Sequence, residues 1–454
     1  MNKLEIRNPF NQEVVGLLNG STGDDVANAV ARSRQAWKEY RYSSPIERKT
    51  LLFALADKIA ENAEQFGDII SREMGKTIRE ARNEVRRAQN TLRLSGEAGT
   101  VLHGETMSTA VASGSPNKLA TITYESAGVL GAITPFNYPL NLLCHKLGPA
   151  LAAGNTIVAK PSPKAPLAAQ LLADLALEAG IPGNVFQVVH GGADVAMALA
   201  GSTIDLLSFT GGPAAGLALK HRAGLVRCLM ELGGNDPLIV MPDADLERAA
   251  DVAIGHRFEI AGQSCAAVKK LYLHNDIRSR MLELLEARIK NVRFGNPQAE
   301  DTDMGTVIDE LAAAEVERRV KFAIEDGAKL VIGGTRVGTL FAPTLLDDVK
   351  GTTDLVATET FGPILAVRPF DSVDDVITEV SESEFGLQAG IFTNDHSLIR
   401  RASRELRVGG VMVNEGPDFR AENVPFGGIK SSGLGREGVH MTLREMSETK
   451  VVID

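Results

Sequence analysis

The segment NTIVAKPSPKAPLAAQLLADLALEAGIPGNVFQVVHGG, residues 155–192, carries the pattern that decides the fold. It opens and closes with short apolar runs that end in proline or glycine, and the apolar residues between them recur at helical spacing. The strand pattern is repeated on either side by VLGAITP (129–135) and DLLSFTGG (205–212). This alternation predicts an α/β fold with a parallel sheet covered by helices, and a ligand site beyond the carboxyl ends of the strands.

Other regions extend the predicted architecture. Residues 46–99 place apolar side chains three and four positions apart, which predicts amphipathic helices. A second stretch of alternating strands and helices runs from about residue 233 to 432. KLATITYES (118–126) alternates like an exposed strand, and SETKVVID (447–454) is also strand-like. We expect the exposed strand to belong to a hairpin arm that pairs with a partner subunit.

Composition and charge exclude several classes of protein. The 454 residues carry a net charge of −10 and show no basic stripe with interleaved aromatics, so nucleic acid is not an expected partner. No apolar run approaches the roughly 18 residues that span a bilayer, so no membrane association is expected, and the N-terminus has no signal-peptide core. The three cysteines form no Cys-x-x-Cys pair, which argues against disulfides or a metal site and fits a cytoplasmic protein.

Each candidate catalytic residue has an ordinary structural alternative when it is considered alone. Cys265, in GQSC, fits a buried core position as well as a nucleophile, because free cysteine is usually buried. Glu231 ends a predicted strand, where a carboxylate often forms a cap or a salt bridge. Asn137 lies between two prolines in TPFNYP and suits a turn, while Lys146 suits the surface of a helix.

Two glycine motifs are candidates for binding a dinucleotide. GLGREG (433–438) matches G-x-G-x-x-G as a string, but the preceding PFGGIKSS is not a strand, so a structural loop is predicted there. In FTGGPAAG (209–216), Gly211, Gly212 and Gly216 follow a strand and open a helix. Free backbone N–H groups could face a pyrophosphate at this turn, and a plain tight turn is an equal interpretation.

Taken together, the motifs resemble those of the NAD(P)-dependent aldehyde dehydrogenase superfamily. They occur in the family's order over nearly the whole chain: TPFNYP, AAGNTIVAKPS, FTGGPAAG, MELGGNDP, GQSC, TETFGPI and PFGGIKSSGLGREG. The resemblance implies the aldehyde dehydrogenase fold, with a Rossmann-like parallel-sheet cofactor domain, an α/β catalytic domain and a β-strand oligomerisation arm. The expected bounds are 1–106 with 127–232 for the cofactor domain, 233–440 for the catalytic domain, and 107–126 with 441–454 for the arm.

The resemblance also assigns catalytic roles. Cys265 would attack the aldehyde carbon as a thiolate, and the Asn137 amide with the Cys265 backbone N–H would hold the developing oxyanion. Glu231 would activate the water that hydrolyses the thioester and would help to deprotonate the thiol. Lys146 matches a family lysine near this relay, where its positive charge would favour the thiolate and the carboxylate.

The implied cofactor is NAD+ or NADP+, with NAD+ favoured, and no metal is expected. Lys160 resembles the contact to the adenosine ribose, Gly211 and Gly212 lie at the pyrophosphate, and Glu359 with Phe361 lies at the nicotinamide. The full set implied for the cofactor is Ile133, Thr134, Pro135, Phe136, Lys160, Ser162, Pro163, Phe209, Thr210, Gly211, Gly212, Gly216, Leu232, Gly233, Glu359 and Phe361.

Three departures from the family pattern bear on specificity. Pro163 stands where many members have a glutamate that repels a 2′-phosphate, and Lys164 follows it, which leaves NADP+ or dual use open. Gly212 and Pro213 replace a common Ser-Thr pair, which removes one side-chain contact to phosphate. ELGGND replaces the commoner ELGGKS.

The sequences ELGGNDPLIVMPDADL and DMGTVIDELAA resemble the branch that contains phosphonoacetaldehyde and lactaldehyde dehydrogenases. That branch holds an anionic head group with arginine and histidine, and Arg87, His145 and Arg420 fall at plausible positions, with Asn137 and Ser264 also at the substrate. Ordinary salt bridges are an equal interpretation of both arginines. Ser264 stands where the branch tends to have arginine, which weakens the case for an anion site.

The expected function is NAD(P)+-dependent oxidation of a short aldehyde to its acid, with a phosphonoaldehyde such as phosphonoacetaldehyde or phosphonoformaldehyde as the first substrate hypothesis. Alternative substrates are lactaldehyde, a sulfoaldehyde, glyceraldehyde 3-phosphate or a succinate-semialdehyde-like compound. A CoA-acylating enzyme would keep Cys265 but pass the thioester to another acceptor. A homodimer or homotetramer is expected.

Overall fold

The computed structural model describes residues 3–454, so the first two residues of the predicted segment 1–106 lie outside the described residues. Its helices are α1 (Gly23–Tyr40), α2 (Pro45–Glu61), α3 (Ala63–Met74), α4 (Ile78–Thr100), α5 (Asn141–Ala152), α6 (Leu167–Glu178), α7 (Ala193–Ala200), α8 (Pro213–Ala223), α9 (Leu246–Phe258), α10 (Asn275–Ile289), α11 (Glu310–Glu325), α12 (Asp354–Ala357), α13 (Val373–Glu382), α14 (His396–Glu405) and α15 (Val439–Glu445). None of these helices combines the length and apolarity that a membrane-spanning segment needs.

The strands over the same residues are β1 (Lys3–Arg7), β2 (Val14–Asn19), β3 (Glu105–Ser108), β4 (Leu119–Ser126), β5 (Val129–Ile133), β6 (Thr156–Lys160), β7 (Phe186–Val188), β8 (Leu206–Thr210), β9 (Arg227–Glu231), β10 (Pro237–Val240), β11 (Lys270–His274), β12 (Lys329–Ile332), β13 (Arg336–Val337), β14 (Leu340–Phe341), β15 (Thr344–Asp347), β16 (Ile364–Phe370), β17 (Gln388–Phe392), β18 (Gly410–Val413), β19 (Gly433–Leu434) and β20 (Ser447–Ile453). The α/β prediction is confirmed.

The first large sheet has the strand order β19-β9-β8-β5-β6-β7, and β5 to β9 are parallel. Strands β5, β6 and β8 are buried along their whole length, as continuous apolar runs between two helical layers should be. The chain leaves β5 toward β6 and β7, then returns to the other side of β5 as β8 and β9. This reversal opens a crevice at the carboxyl ends of β5 and β8, where ligands of doubly wound sheets bind.

GLGREG forms neither a dinucleotide turn nor a plain loop. It follows a 3₁₀ turn (Lys430–Ser432), and its first two residues form β19, which pairs antiparallel with the end of β9. The pairing joins Gly433 to Glu231 and Leu434 to Met230, so this motif of the C-terminal region lies against the strand that ends in Glu231.

The second large sheet has the order β12-β15-β16-β11-β10-β17-β18 and is parallel except for the β12–β15 pair. The segment from α9 through a 3₁₀ turn (Glu259–Gly262) to β11 contains Cys265. The site therefore lies between the two sheets, with Glu231 supplied by one and Cys265 by the other.

A separate three-stranded antiparallel sheet has the order β20-β4-β3. It contains the predicted exposed strand and the C-terminal strand, and β20 presents one free edge. Both strand predictions match the observed elements β4 and β20. The role of this sheet in subunit association stays a prediction, as do the domain boundaries.

Buried glutamates on the N-terminal helices fix the entrance to the site. Glu84 of α4 pairs with Lys76 at 2.6 Å, and its other oxygen accepts hydrogen bonds from the backbone N–H groups of Leu140 and Asn141. These contacts supply acceptors for the otherwise unpaired N–H groups at the start of α5. They connect α4 to the end of the TPFNYP turn and to the first turn of α5.

Candidate active site

A cavity of about 400 Å³ lies where the crevice of the first sheet meets the Cys265 segment. Its volume is within the range of small-molecule sites. Many predicted residues line it, from both the catalytic and the cofactor sets: Arg87, Pro135, Phe136, Asn137, Thr210, Gly211, Gly212, Glu231, Leu232, Gly233, Ser264, Cys265, Glu359, Phe361 and Arg420.

Cys265 is held by its backbone in the wall of this cavity. The Nζ atom of buried Lys269 donates hydrogen bonds to the carbonyl oxygens of Ser264 at 2.6 Å and Cys265 at 2.9 Å. Just before this segment, Ile260 and Ala261 have φ values of 44° and 53°, a left-handed conformation that non-glycine residues rarely adopt. The nucleophile loop is therefore a constrained turn, anchored from behind by one lysine.

Burial, followed by the nearby Asp418 carboxyl, raises the pKa of the Cys265 thiol above its usual range. Lys269 acts in the opposite direction but does not outweigh burial. In the ligand-free site the thiol is therefore protonated at neutral pH, and a base must accept its proton before it attacks.

Asn137 occupies a position suited to an oxyanion. Its Nδ2 donates to the carbonyl oxygen of Gln263 at 2.9 Å, and its Oδ1 accepts from the backbone N–H of Tyr138. These two contacts fix the amide orientation and leave the second N–H hydrogen of Asn137 without an assigned partner. Gln263 is itself held by hydrogen bonds to Ile260, Thr306 and Ile308, so the amide and the nucleophile loop share one support.

Glu231 ends β9 with its carboxyl group buried, and its Oε2 has no hydrogen-bond partner within residues 3–454. Burial and the nearby Glu437 raise the pKa of Glu231 well above its usual range, against the opposing effects of Arg420 and Lys146. Gly427 leaves room for this carboxyl, since any Cβ there would come within 2.6 Å of Glu231 Oε1. A buried carboxyl with a raised pKa and an empty acceptor suits a general base that handles one water molecule.

Lys146 acts on Glu231 through a third residue. Its Nζ donates to Thr210 Oγ1 at 2.8 Å and to Glu437 Oε1 at 2.9 Å, and Arg420 donates to the other oxygen of Glu437 at 2.8 Å. Although burial alone would raise it, these two cations hold the pKa of Glu437 well below its usual range. Glu437 therefore stays ionised and places a negative charge near Glu231.

The three residues predicted to bind an anionic head group have different surroundings. Arg87 lines the cavity and donates from Nε to Glu422 Oε1 at 2.7 Å, while buried His145 lies 2.6 Å from Glu422 Oε2. His145 does not line the cavity; it contacts Glu422 instead. Burial opposes the effect, but His145 and Arg87 together lower the pKa of Glu422 to about 2. Both arginines therefore form salt bridges, and each also reaches the cavity.

The predicted cofactor residues outside the cavity lining lie at the strand ends of the same crevice. Lys160, at the end of β6, donates to the carbonyl oxygens of Pro161 and Gly191, which leaves one of its three hydrogens for a ligand. The hydroxyl of Thr134 is buried beyond β5 without a partner in the described chain. A dinucleotide that offers ribose hydroxyls fits these groups.

At the glycine turn, two of the three predicted glycines have N–H groups that are already engaged. Gly211 donates its N–H to the carbonyl oxygen of Glu231 at 3.0 Å, so this N–H is not free for a pyrophosphate. Gly212 caps α8, and Gly216 already donates to Gly212 within the helix. The free N–H groups at this helix end are therefore those of the first turn after Pro213.

Lys164 and Glu359 both line the cavity. Lys164 forms an ion pair with Asp309, so its charge is already matched. Glu359 accepts from the backbone N–H of Gly234 at 3.0 Å, and Lys269 Nζ lies 4.0 Å from its Oε1. Phe361 packs edge-on against Phe136, with 6.5 Å between the ring centroids, so two apolar rings form part of the cavity wall.

Several polar residues of the site were not predicted. Glu437 lies inside the motif PFGGIKSSGLGREG but had no predicted role, and Asp418, Glu422 and Lys269 had none either. A signal was present for Glu437 alone, because GREG closes the motif whose glycines pair with the end of β9.

The aldehyde dehydrogenase family model matches residues 1–452 of the sequence. The chain belongs to the aldehyde dehydrogenase family. It is accordingly an oxidoreductase, and the predicted fold and family are confirmed. Three similar proteins illustrate the range of this family.

The 3-sulfolactaldehyde dehydrogenase of Priestia aryabhattai is 41% identical over 453 residues, which cover 99% of this chain and 94% of the relative. The sulfoacetaldehyde dehydrogenase of Neptuniibacter caesariensis is 37% identical over 453 residues, covering 100% and 99%. The crystal structure of glyceraldehyde-3-phosphate dehydrogenase GapN from Methanocaldococcus jannaschii, in complex with NADP, superposes with a TM-score of 0.95 at 34% identity, covering 99% and 98%.

Lys269 gives this aldehyde dehydrogenase a testable structural anchor. We expect Lys269→Met to lower the free energy of unfolding by about 3 kcal/mol, because two buried carbonyl groups and the carboxyls of Asp236 and Glu359 lose a cation. The urea midpoint measures this change. Lys290→Met is the control, since Lys290 forms an exposed pair with Glu286 and should shift stability by less than about 0.5 kcal/mol. Equal midpoints for the two variants would contradict the anchor role.

Proposed function

We propose that this aldehyde dehydrogenase converts a short aldehyde into its carboxylic acid through a covalent bond to Cys265. One observation carries the proposal: a thiol, an amide donor and a buried carboxyl with a raised pKa, from Cys265, Asn137 and Glu231, converge on one cavity. These are the three groups that acyl chemistry at a cysteine requires.

The first step forms the bond between Cys265 Sγ and the aldehyde carbon. The thiol proton passes to a base, with Glu231 as the candidate, and the carbonyl oxygen becomes an oxyanion. The remaining N–H of Asn137 and the backbone N–H of Cys265 would donate to that oxygen. When bound, NAD+ or NADP+ supplies the hydride acceptor that turns the adduct into a thioester, and the groups that would hold it include Lys160, Thr134 and the first turn of α8.

The second step releases the acid. Once Glu231 has released the thiol proton to solvent, it accepts a proton from water, the water oxygen bonds to the acyl carbon, and the bond to sulfur breaks. The proton on Glu231 then passes to the sulfur and restores the thiol. Lys146 and Arg420 hold Glu437 ionised beside this carboxyl. Burial and the negative charge of Glu437 raise the pKa of Glu231, so the ionised form of Glu231 is a stronger base.

The defining experiment measures products from one aldehyde, with and without coenzyme A. Oxidation to the acid requires one carboxylic acid and one NADH or NADPH per aldehyde in the absence of coenzyme A. A strict dependence on coenzyme A, with a thioester as product, would instead establish the acylating alternative. The buried acceptor oxygen of Glu231 favours water.

The substrate proposal is an aldehyde with an anionic head group. It is supported by two relatives named for sulfonated aldehydes and by Arg87, whose Nε is bound to Glu422 while its side chain remains part of the cavity wall. A guanidinium oriented by a carboxylate can still donate two hydrogen bonds from its outer nitrogens. Sulfonate and phosphonate present the same tetrahedral oxygens, so phosphonoaldehydes remain within this proposal.

We expect Arg87→Gln to lower kcat/KM for sulfoacetaldehyde by about 10- to 100-fold, because a charge-assisted contact is lost, while kcat/KM for propanal changes little. Steady-state rates with both aldehydes measure the ratio. Arg86→Gln is the matched control, since Arg86 is exposed on the same helix and, among residues 3–454, its side chain bonds only Asn83. An unchanged ratio in Arg87→Gln would remove Arg87 from substrate recognition.

The cofactor preference is a further part of the proposal. Pro163 brings no carboxylate to the 2′ position, and the charge of Lys164 is matched by Asp309. Neither repulsion nor attraction is therefore built in for a 2′-phosphate, and we expect NAD+ and NADP+ to support comparable rates. A cytoplasmic homo-oligomer, associated through the β20-β4-β3 sheet, completes the proposal.

A further inference from the structure

The cavity wall contains one carboxylate that the catalytic steps leave unused. Asp418 follows β18 and lines the cavity beside the nucleophile loop. Its Oδ1 accepts a hydrogen bond from Ser264 Oγ at 3.0 Å. Its Oδ2 is shielded from solvent and has no hydrogen-bond partner within residues 3–454. A buried oxygen of this kind costs free energy until a donor reaches it.

The neighbouring cations do not supply that donor. Arg87 is engaged with Glu422, Arg420 with Glu437, and Lys269 with the carbonyl oxygens of Ser264 and Cys265. Asp418 therefore lines the cavity with one carboxylate oxygen that has no donor within residues 3–454. Its other oxygen is bonded to Ser264, the residue that precedes the reactive Cys265. Asp418 and Cys265 line the same cavity, so a substrate bonded to Cys265 lies in the space that Asp418 borders.

The chemistry of the wall selects among possible donors. An ammonium group would meet the positive charges of Arg87 and Lys269, both of which act on Asp418. A hydroxyl group donates one hydrogen bond without adding charge, and it fits beside an anionic head group held by Arg87.

We propose that Asp418 is a specificity-determining residue that accepts a hydrogen bond from the 2-hydroxyl of the substrate, so that 2-hydroxyaldehydes are the preferred substrate class. This inference rests on the proposed function and narrows it. A site built around a hydroxyl rejects the analogue without it, because the buried acceptor is then left unpaired.

The test compares two matched pairs that differ only in the 2-hydroxyl: lactaldehyde against propanal, and 3-sulfolactaldehyde against 3-sulfopropanal. Burial, and then the Glu259 carboxyl, raise the pKa of Asp418 to about 7, so rates are measured near pH 8.5, where it is ionised. We expect the unaltered enzyme to favour the hydroxylated member by about 10- to 100-fold in kcat/KM. Asp418→Ala should reduce this ratio to near one, and Asp418→Asn, which retains a weaker acceptor, should give an intermediate ratio.

Glu259→Gln is the matched control. Glu259 lines the same cavity, but its Oε1 already accepts from the Tyr138 hydroxyl at 3.3 Å. Removing this charge should leave the hydroxyl preference within about threefold of its original value. A similar loss of preference in Glu259→Gln would attribute the effect to cavity charge and overturn the assignment to Asp418.

The remaining outcomes separate the two proposals. Oxidation of both members at equal rates by the unaltered enzyme would overturn the role of Asp418 and leave aldehyde oxidation intact. Loss of all activity in both Asp418 variants would assign the residue to catalysis or folding and also overturn its specificity role. No oxidation of any aldehyde by the unaltered enzyme would overturn the proposed function itself.

Discussion

Cys265→Ala should abolish aldehyde oxidation, with kcat falling by at least about four orders of magnitude. The alanine side chain cannot bond to the aldehyde carbon, so no adduct forms from which hydride can leave. The remaining groups, Asn137 and Glu231, can bind and polarise an aldehyde but supply no covalent route. Reduced cofactor measured by absorbance, together with mass spectrometry of the intact protein after incubation with aldehyde, provides the readout.

Cys228 provides a control for this experiment. Cys228 is buried in β9 and donates to the carbonyl oxygen of Val226, and burial raises its pKa. Cys228→Ala should therefore keep nearly full activity, with only the modest loss of stability expected for a smaller core residue. Full activity in Cys265→Ala, or an acyl adduct on Cys228, would rule out Cys265 as the nucleophile.

The sequence was sufficient for the elements whose pattern is local. Strands β5, β6 and β8 could be predicted because each is a short apolar run closed by proline or glycine, and a fully buried parallel strand needs nothing else. Helix α2 could be predicted for a similar reason, since its apolar side chains recur three and four positions apart. The structure begins it at Pro45, with a capping box between Ser44 and Glu47.

The electrostatics of the site could not be predicted in this way. Arg87 and Glu422 are 335 residues apart in the chain, and Lys146 and Glu437 are 291 apart, so no local pattern relates them. Whether an arginine binds substrate or a carboxylate depends on which loops the two sheets bring together. The resemblance to a family supplied positions for such residues, but not their partners. His145 is an example, because it is hydrogen-bonded to Glu422 and does not line the cavity.

Glu231→Gln should separate the two chemical steps. The glutamine has nearly the same shape but cannot accept a proton from water, so the acyl group should remain on Cys265 after hydride has left. We expect a burst of one reduced cofactor per active site, formed more slowly than in the unaltered enzyme because water must then take the thiol proton, followed by turnover about 10²- to 10⁴-fold slower than in the unaltered enzyme. Stopped-flow absorbance resolves the burst, and mass spectrometry identifies the trapped acyl-enzyme.

Hydroxylamine tests whether the block lies at the thioester. This nucleophile attacks a thioester without help from a base. Added after the burst, once excess aldehyde has been removed, it should release the acyl group of Glu231→Gln as a hydroxamate, while Cys265→Ala should give none. Absence of both the burst and the hydroxamate would show that Cys265 depends entirely on Glu231 for its deprotonation, and would contradict a block confined to the thioester. Because burial and Glu437 raise the pKa of Glu231 while burial and Asp418 raise that of Cys265, each group resists ionisation alone. A proton passed from Cys265 to an ionised Glu231 moves one negative charge from the carboxylate to the sulfur without adding a second charge to this pair. The burst measured as a function of pH would show whether the thiol depends on this carboxyl.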